Sequence, residues 1–155
     1  MANRTGYVEQ RKRSLGDVAV DGLLAGMAAG LLMGVAVVLL GILDGVGPLE
    51  TLGRFDPAND GSAIMGGLLH LAISGIYGAV FAIGYRLLIR WGAWDRRYSW
   101  AVGAVFGLGV WLVAHVLFLS GLNSALSDIP PWSFALAHLI YGAALGYVVG
   151  RHQEN

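Results

Sequence analysis

Three histidines fall inside stretches of this chain that carry no Asp, Glu, Lys or Arg: His70, His115 and His138. At a helical rise of about 1.5 Å per residue they lie about 15, 12 and 10 Å below the corresponding ends of their stretches, so each of three helices places one imidazole at a similar depth. Neutral imidazole can ligate the iron of haem b from two helices, or Zn or Cu from three, and Asp44 could add a carboxylate. Ser74 and Tyr77 follow His70 by one and two turns and Tyr141 is three residues past His138, which supplies hydrogen-bond partners for ligating rings. The same groups could handle a quinone or a proton. The plainer reading uses the same residues: a lone His in an apolar helix ties itself to a Ser, a Tyr or a carbonyl of the neighbouring helix. Both readings stand at this point, with His70, His115 and His138 as the cofactor-binding candidates. The fourth histidine, His152, follows the last apolar stretch.

Other chemistry is easier to set aside. There is no cysteine, which removes thiolate metal sites, thioether-linked haem and cysteine nucleophiles together. The chain has no HExxH, GxxxxGK[ST] or GxSxG, and no paired carboxylates within an apolar stretch; Asp17 and Asp21 stand at the edge of the first one, within reach of water. No catalytic residue is assigned and no enzyme is expected. Ten basic residues cancel ten acidic ones, so nothing in the charge balance favours nucleic acid. A transporter lacks its usual signs, a charge or a proline break inside a span, although a small oligomer could build a channel or a substrate cradle between chains.

The elements that must position the histidines follow from composition. Of 155 residues 56% are hydrophobic, 13% are charged and 24 are glycine, a balance outside that of ordinary soluble domains. Runs free of charge extend over 22–43, 61–85, 98–127 and 129–150. Each reaches the roughly 20 residues that a helix needs to cross about 30 Å of hydrocarbon, and none shows the alternation of a barrel strand. The expected fold is an all-α integral membrane protein: a single domain over 1–155, four transmembrane helices in an up-down bundle at about 20–43, 62–86, 98–122 and 131–150, and an outer loop 44–61 with a short interfacial helix. Leu49, Leu52 and Phe55 recur at helical spacing within that loop between Gly47-Pro48 and Asp56-Pro57. Pro130-Pro131 starts the fourth span.

Orientation comes from the basic residues. Arg4, Arg11, Lys12, Arg13, Arg86, Arg90, Arg96, Arg97 and Arg151 fall on one side and Arg54 alone on the other, with Asp44, Glu50, Asp56, Asp60 and Asp128. The positive-inside rule therefore puts both termini in the cytoplasm. Tyr85, Trp91, Trp94, Tyr98 and Trp100 bracket the inner loop and Trp132 opens the fourth span, as expected of rings at the headgroup level. The first run is too long for a signal sequence and is read as a retained span. The expected location is a bacterial inner membrane.

Two patterns concern packing. Gly22, Gly26, Gly30 and Gly34 recur every fourth residue, as do Gly142, Gly146 and Gly150, and Gly103 and Gly107 form another pair. Such stripes let helix backbones approach in lipid, either within the bundle or against another copy or subunit. Ile76-Tyr77-Gly78-Ala79 reappears as Ile140-Tyr141-Gly142-Ala143, so spans one and two are either related to spans three and four as a parallel repeat or alike by chance. The leading functional expectation is a non-catalytic accessory or scaffold subunit of a larger membrane complex, with the bilayer and other membrane subunits, or further copies, as partners. The alternatives are an electron-transfer protein with haem b or a His-ligated metal at the histidine layer, and a small oligomeric transporter or channel.

Overall fold

A computed structural model describes residues 13–58, 60–92, 96–119 and 125–152. Trp94, Asn123 and part of the expected third span, 120–122, lie outside them. Every regular element among the described residues is helical: α1 (Leu15–Leu43), α2 (Pro48–Gly53), α3 (Ala63–Arg90), α4 (Ser99–Val113) and α5 (Pro131–His152). Short 3₁₀ turns at Arg96–Tyr98 and Ala125–Asp128 precede α4 and α5, and α4 continues into a π-helical turn at Ala114–Leu119. Four of these helices, α1, α3, α4 with the start of its continuation, and α5, are long and apolar enough to cross a membrane, which makes this a multi-pass membrane protein.

The helix ends follow local chemistry more closely than the apolar runs do. Residue 20 is the expected start of the first span, yet α1 begins at Leu15, because Ser14 accepts from Asp17 N–H at 3.1 Å while the Asp17 carboxylate accepts from Ser14 N–H at 2.8 Å. This reciprocal cap satisfies two otherwise unpaired donors, and the carboxylate suits the positive end of the helix. Ser62 caps α3 through Met65 N–H at 3.3 Å. At the other ends, Gly45 (φ 80°) and Gly92 (φ 68°) follow the last residues of α1 and α3 and donate to Ile42 and Ile89 carbonyls. Only glycine takes that left-handed conformation without a steric penalty.

Hydrophobic side chains point outward as well as inward. Leu31, Leu39, Ile64, Leu68, Ile76, Val105 and Leu112 are all exposed, a distribution suited to lipid rather than water. The interior holds smaller and aromatic residues: Ala25, Ala29, Met33, Phe81, Ala82, Tyr85, Ala137, Tyr141 and Leu145.

Two antiparallel pairs make up the bundle, α1 with α3 and α4 with α5, and α1 against α5 joins them. The two pairs cross on glycine in the same way. A Cβ at Gly78 would strike the Gly22 carbonyl and come 2.5 Å from Gly26 Cα; a Cβ at Gly142 would strike the Gly103 carbonyl and come 2.9 Å from Gly107 Cα. In each pair the glycine of the Ile-Tyr-Gly-Ala segment therefore sits across from two glycines spaced by four. Between α3 and α4, Phe106 fills space against Phe81 and Tyr77, with ring centroids 5.1 and 6.5 Å away.

Side chains tie off both ends. Arg13 donates to the His152 carbonyl at 2.6 Å and pairs with Asp21 at 2.5 Å, while Arg86 donates to the carbonyls of Arg13 and Ser14. A guanidinium on the last carbonyls of α5 complements the negative end of that helix. At the opposite end α2 lies over α1 and α3. Gly66 sits so close to the Leu52 carbonyl, and Gly41 to Thr51 Oγ1, that a side chain at either position would collide. The buried Asp56 carboxylate accepts from Ala58 and Ser62 N–H and fastens the turn into α3.

Candidate functional site

The histidine layer lies beneath α2. On α3, His70 Nε2 donates to the Gly30 carbonyl of α1 at 2.9 Å. On α5, His138 is buried and its Nδ1 donates to the Phe134 carbonyl, one turn earlier in the same helix, at 2.8 Å. A carbonyl can only accept, so each bond assigns a proton to the bonded ring nitrogen; in the neutral ring this leaves Nδ1 of His70 and Nε2 of His138 with lone pairs. Phenyl rings surround the two imidazoles: Phe55, from the segment after α2, lies 5.0 Å from His70 and 6.4 Å from Phe134, which stands edge-on to His138 at 4.5 Å.

His115 belongs elsewhere. It lies in the π-helical turn and stacks on Trp111 at 5.5 Å with an interplanar angle of 17°. Trp111 Nε1 is buried with no hydrogen-bond partner among the described residues. Spacing along a helix fixes depth but not the direction in which a side chain leaves the axis, so equal depth along two helices does not make their side chains converge. Among the described residues no group of three His, Cys, Asp or Glu side chains comes together to hold a metal ion. Asp44, which the sequence offers as a supplementary ligand, instead caps the end of α1 and lines a separate cavity at that end of the bundle.

The hydrogen-bonding candidates divide in the same manner. Tyr141 is buried and donates from its hydroxyl to the Ser74 carbonyl of α3 at 2.7 Å, linking α5 to α3 across the bundle. Tyr77 is half-buried and faces Phe106. Neither hydroxyl supports an imidazole.

The glycine candidates are used unequally. Gly22, Gly26 and Gly30 press on α3 and Gly103, Gly107, Gly142 and Gly146 on one another, each so closely that a Cβ would overlap its neighbour. Gly34, three steps along the first stripe, would meet only the His70 ring, at 3.9 Å. Four residues turn an α-helix by more than a full revolution, so such a stripe winds off the contact line after two or three repeats. Gly150 is buried.

Phe55, Phe134 and Gly30 escaped the sequence reading as neighbours of the histidines. The helical spacing of Leu49, Leu52 and Phe55 was the only available signal for the first of them. No protein-family model, curated protein or solved structure matches this chain.

Proposed function

We propose that this protein is a non-catalytic scaffold or accessory subunit of a membrane complex, with both termini on the cytoplasmic side of a bacterial inner membrane. One observation carries the reading. Three polar side chains inside the spans donate to the chain's own backbone, His70 to Gly30, His138 to Phe134 and Tyr141 to Ser74. Polar groups that handle a substrate or cofactor in lipid face a cavity or a ligand, whereas groups that hold helices together end on a neighbouring carbonyl. Glycine supports the same reading, since the stripes are engaged within the bundle and large apolar side chains cover its outer faces. The orientation rests on the sequence, in which nine basic residues fall on the side of the termini and the inner loop and Arg54 alone falls on the other.

Mild solubilisation of native membranes tests this. A scaffold subunit should migrate in a stoichiometric assembly, and His70→Gln, His115→Gln and His138→Gln should each leave that assembly intact, because Gln retains a donor. Recovery only as a lone chain in its micelle would refute the accessory role. A stoichiometric haem spectrum or bound metal that disappears in two of the three variants would replace it with electron transfer.

A further inference from the structure

His115 is the exception among the histidines. His70, His138 and His152 each bond to a backbone carbonyl of the chain, whereas His115 makes no hydrogen bond among the described residues. Its ring stacks on Trp111, which packs against the core and so holds the imidazole at the edge of the bundle. The ring is half-buried, and its nitrogens, unlike the enclosed Trp111 Nε1, reach the outer surface of the helix. That surface belongs to a membrane span, where no water completes the hydrogen bonding of a polar group and ionisable side chains turn inward or toward a partner. An imidazole at the lipid face with neither bond made therefore has its partner outside this chain.

The helix that carries it has a face for one. α4 is the least buried of the four spans; it leans on α5 through Gly103 and Gly107 and on α3 through Phe106. Away from those contacts, Val105, Leu108 and Leu112 are 72, 38 and 52% exposed, and together with His115 they recur at intervals of three, four and three residues. This is the seam of two helices packed side by side, in which a single polar residue fixes the register. Two copies in one bilayer share an orientation, so a twofold axis along the membrane normal sets their α4 helices parallel and brings each seam residue to its own counterpart at equal depth. Imidazole suits that place because it both donates and accepts: the ring of one chain can donate to the bare nitrogen of the other. An unlike protein would have to carry a matching polar group at that depth, whereas a second copy carries it of necessity.

We propose that α4 is a self-association surface, along which two copies pair through Val105, Leu108 and Leu112 while His115 of one chain donates a hydrogen bond to the partner's His115. The inference extends the scaffold reading by naming one partner, and it holds whether or not unlike subunits join the assembly.

Disulfide cross-linking in native membranes tests it, since the chain has no cysteine of its own. Leu108→Cys and Leu112→Cys should each give a covalent dimer on mild oxidation, and Val80→Cys, as exposed on α3, should stay monomeric, because cysteines bridge only where their Cα atoms come within about 7 Å. In detergent His115→Gln should keep the dimer, as an amide also donates and accepts. His115→Leu should weaken it about three- to twentyfold, the range of one interhelical hydrogen bond, with the thermal midpoint of the monomer unchanged. Cross-linking at Val80 equal to that at Leu108 and Leu112, or none at any of them, overturns the pairing. So does a dimer unweakened by His115→Leu, or a His115→Leu variant that sheds an unlike subunit where no dimer of this chain is found. A stoichiometric assembly without α4 cross-links would refute this inference and leave the accessory role standing; α4 cross-links without any unlike subunit would uphold the pairing and refute the accessory role.

Discussion

Gly26, Tyr141 and Gly84 show how differently single positions hold this bundle. A Cβ at Gly26 would press on the Ser74 carbonyl and come 2.8 Å from Gly78 Cα, and backbone cannot move aside as a side-chain tip can. Gly26→Ala therefore has to separate α1 from α3 and should cost about 1–3 kcal/mol or more, the range for overpacking a tight interior. Tyr141→Phe removes only the hydroxyl donated to Ser74. Interhelical hydrogen bonds in membrane proteins average about 0.6 kcal/mol and rarely exceed 1.7, so this variant should be the milder of the two. Gly84 has nothing within 4 Å of where its Cβ would stand. Gly84→Ala should be neutral or slightly stabilising, since alanine is the better helix former. Unfolding each variant in mixed micelles ranks them, and an equal loss for Gly26→Ala and Gly84→Ala would show that the α1–α3 crossing is not a close one.

At the scale of elements the molecule consists of two helix pairs with similar crossings. Gly22, Gly26 and Gly78 form one, and Gly103, Gly107 and Gly142 form the other. The repeated Ile-Tyr-Gly-Ala segment thus occupies equivalent places, which favours duplication over chance as its source. Each pair holds its own glycine contact, and α1 against α5 with the Tyr141–Ser74 bond joins them. The burden falls on α5, with 56% of its apolar stretch buried against 17% in α4. Co-expression of 1–93 and 94–155 as separate chains should accordingly restore the bundle, so that a tag on one fragment recovers the other in about equal amount. Gly142→Leu should abolish recovery of folded 94–155 by opening the α4–α5 crossing. Failure of the wild-type fragments to associate would mean that the inner loop, not the α1–α5 interface, keeps the pairs together.

For the whole molecule the testable property is its orientation. Arg13, Arg86 and Arg151 belong to one end, Arg54, Asp56 and Asp128 to the other, and the side richer in Arg and Lys should remain in the cytoplasm. The absence of native cysteine makes a single-cysteine scan clean. Asp60→Cys and Asp128→Cys should react with an impermeant maleimide in intact cells, and Arg90→Cys and His152→Cys only after permeabilisation. The reverse pattern would invert the topology.

Four apolar helices of spanning length were legible in the residues alone, because the bilayer imposes a length and a composition that can be counted without knowing any contact. The short helix at 48–53 and the start of α5 at Pro131 were legible too, since proline, glycine and helical spacing act locally. The contacts between helices were not. Residue spacing reports depth along a helix but not the rotation of one helix against another, so three histidines at similar depth read as one layer. Tertiary packing set His70 and His138 on either side of the Phe55–Phe134 pair and stacked His115 on Trp111 within a π turn. The same limit hid the cavity at the α2 end of the bundle: its walls come from α1, α2 and α5, and only their packing brings Asp44, Arg54 and Asp128 to one place.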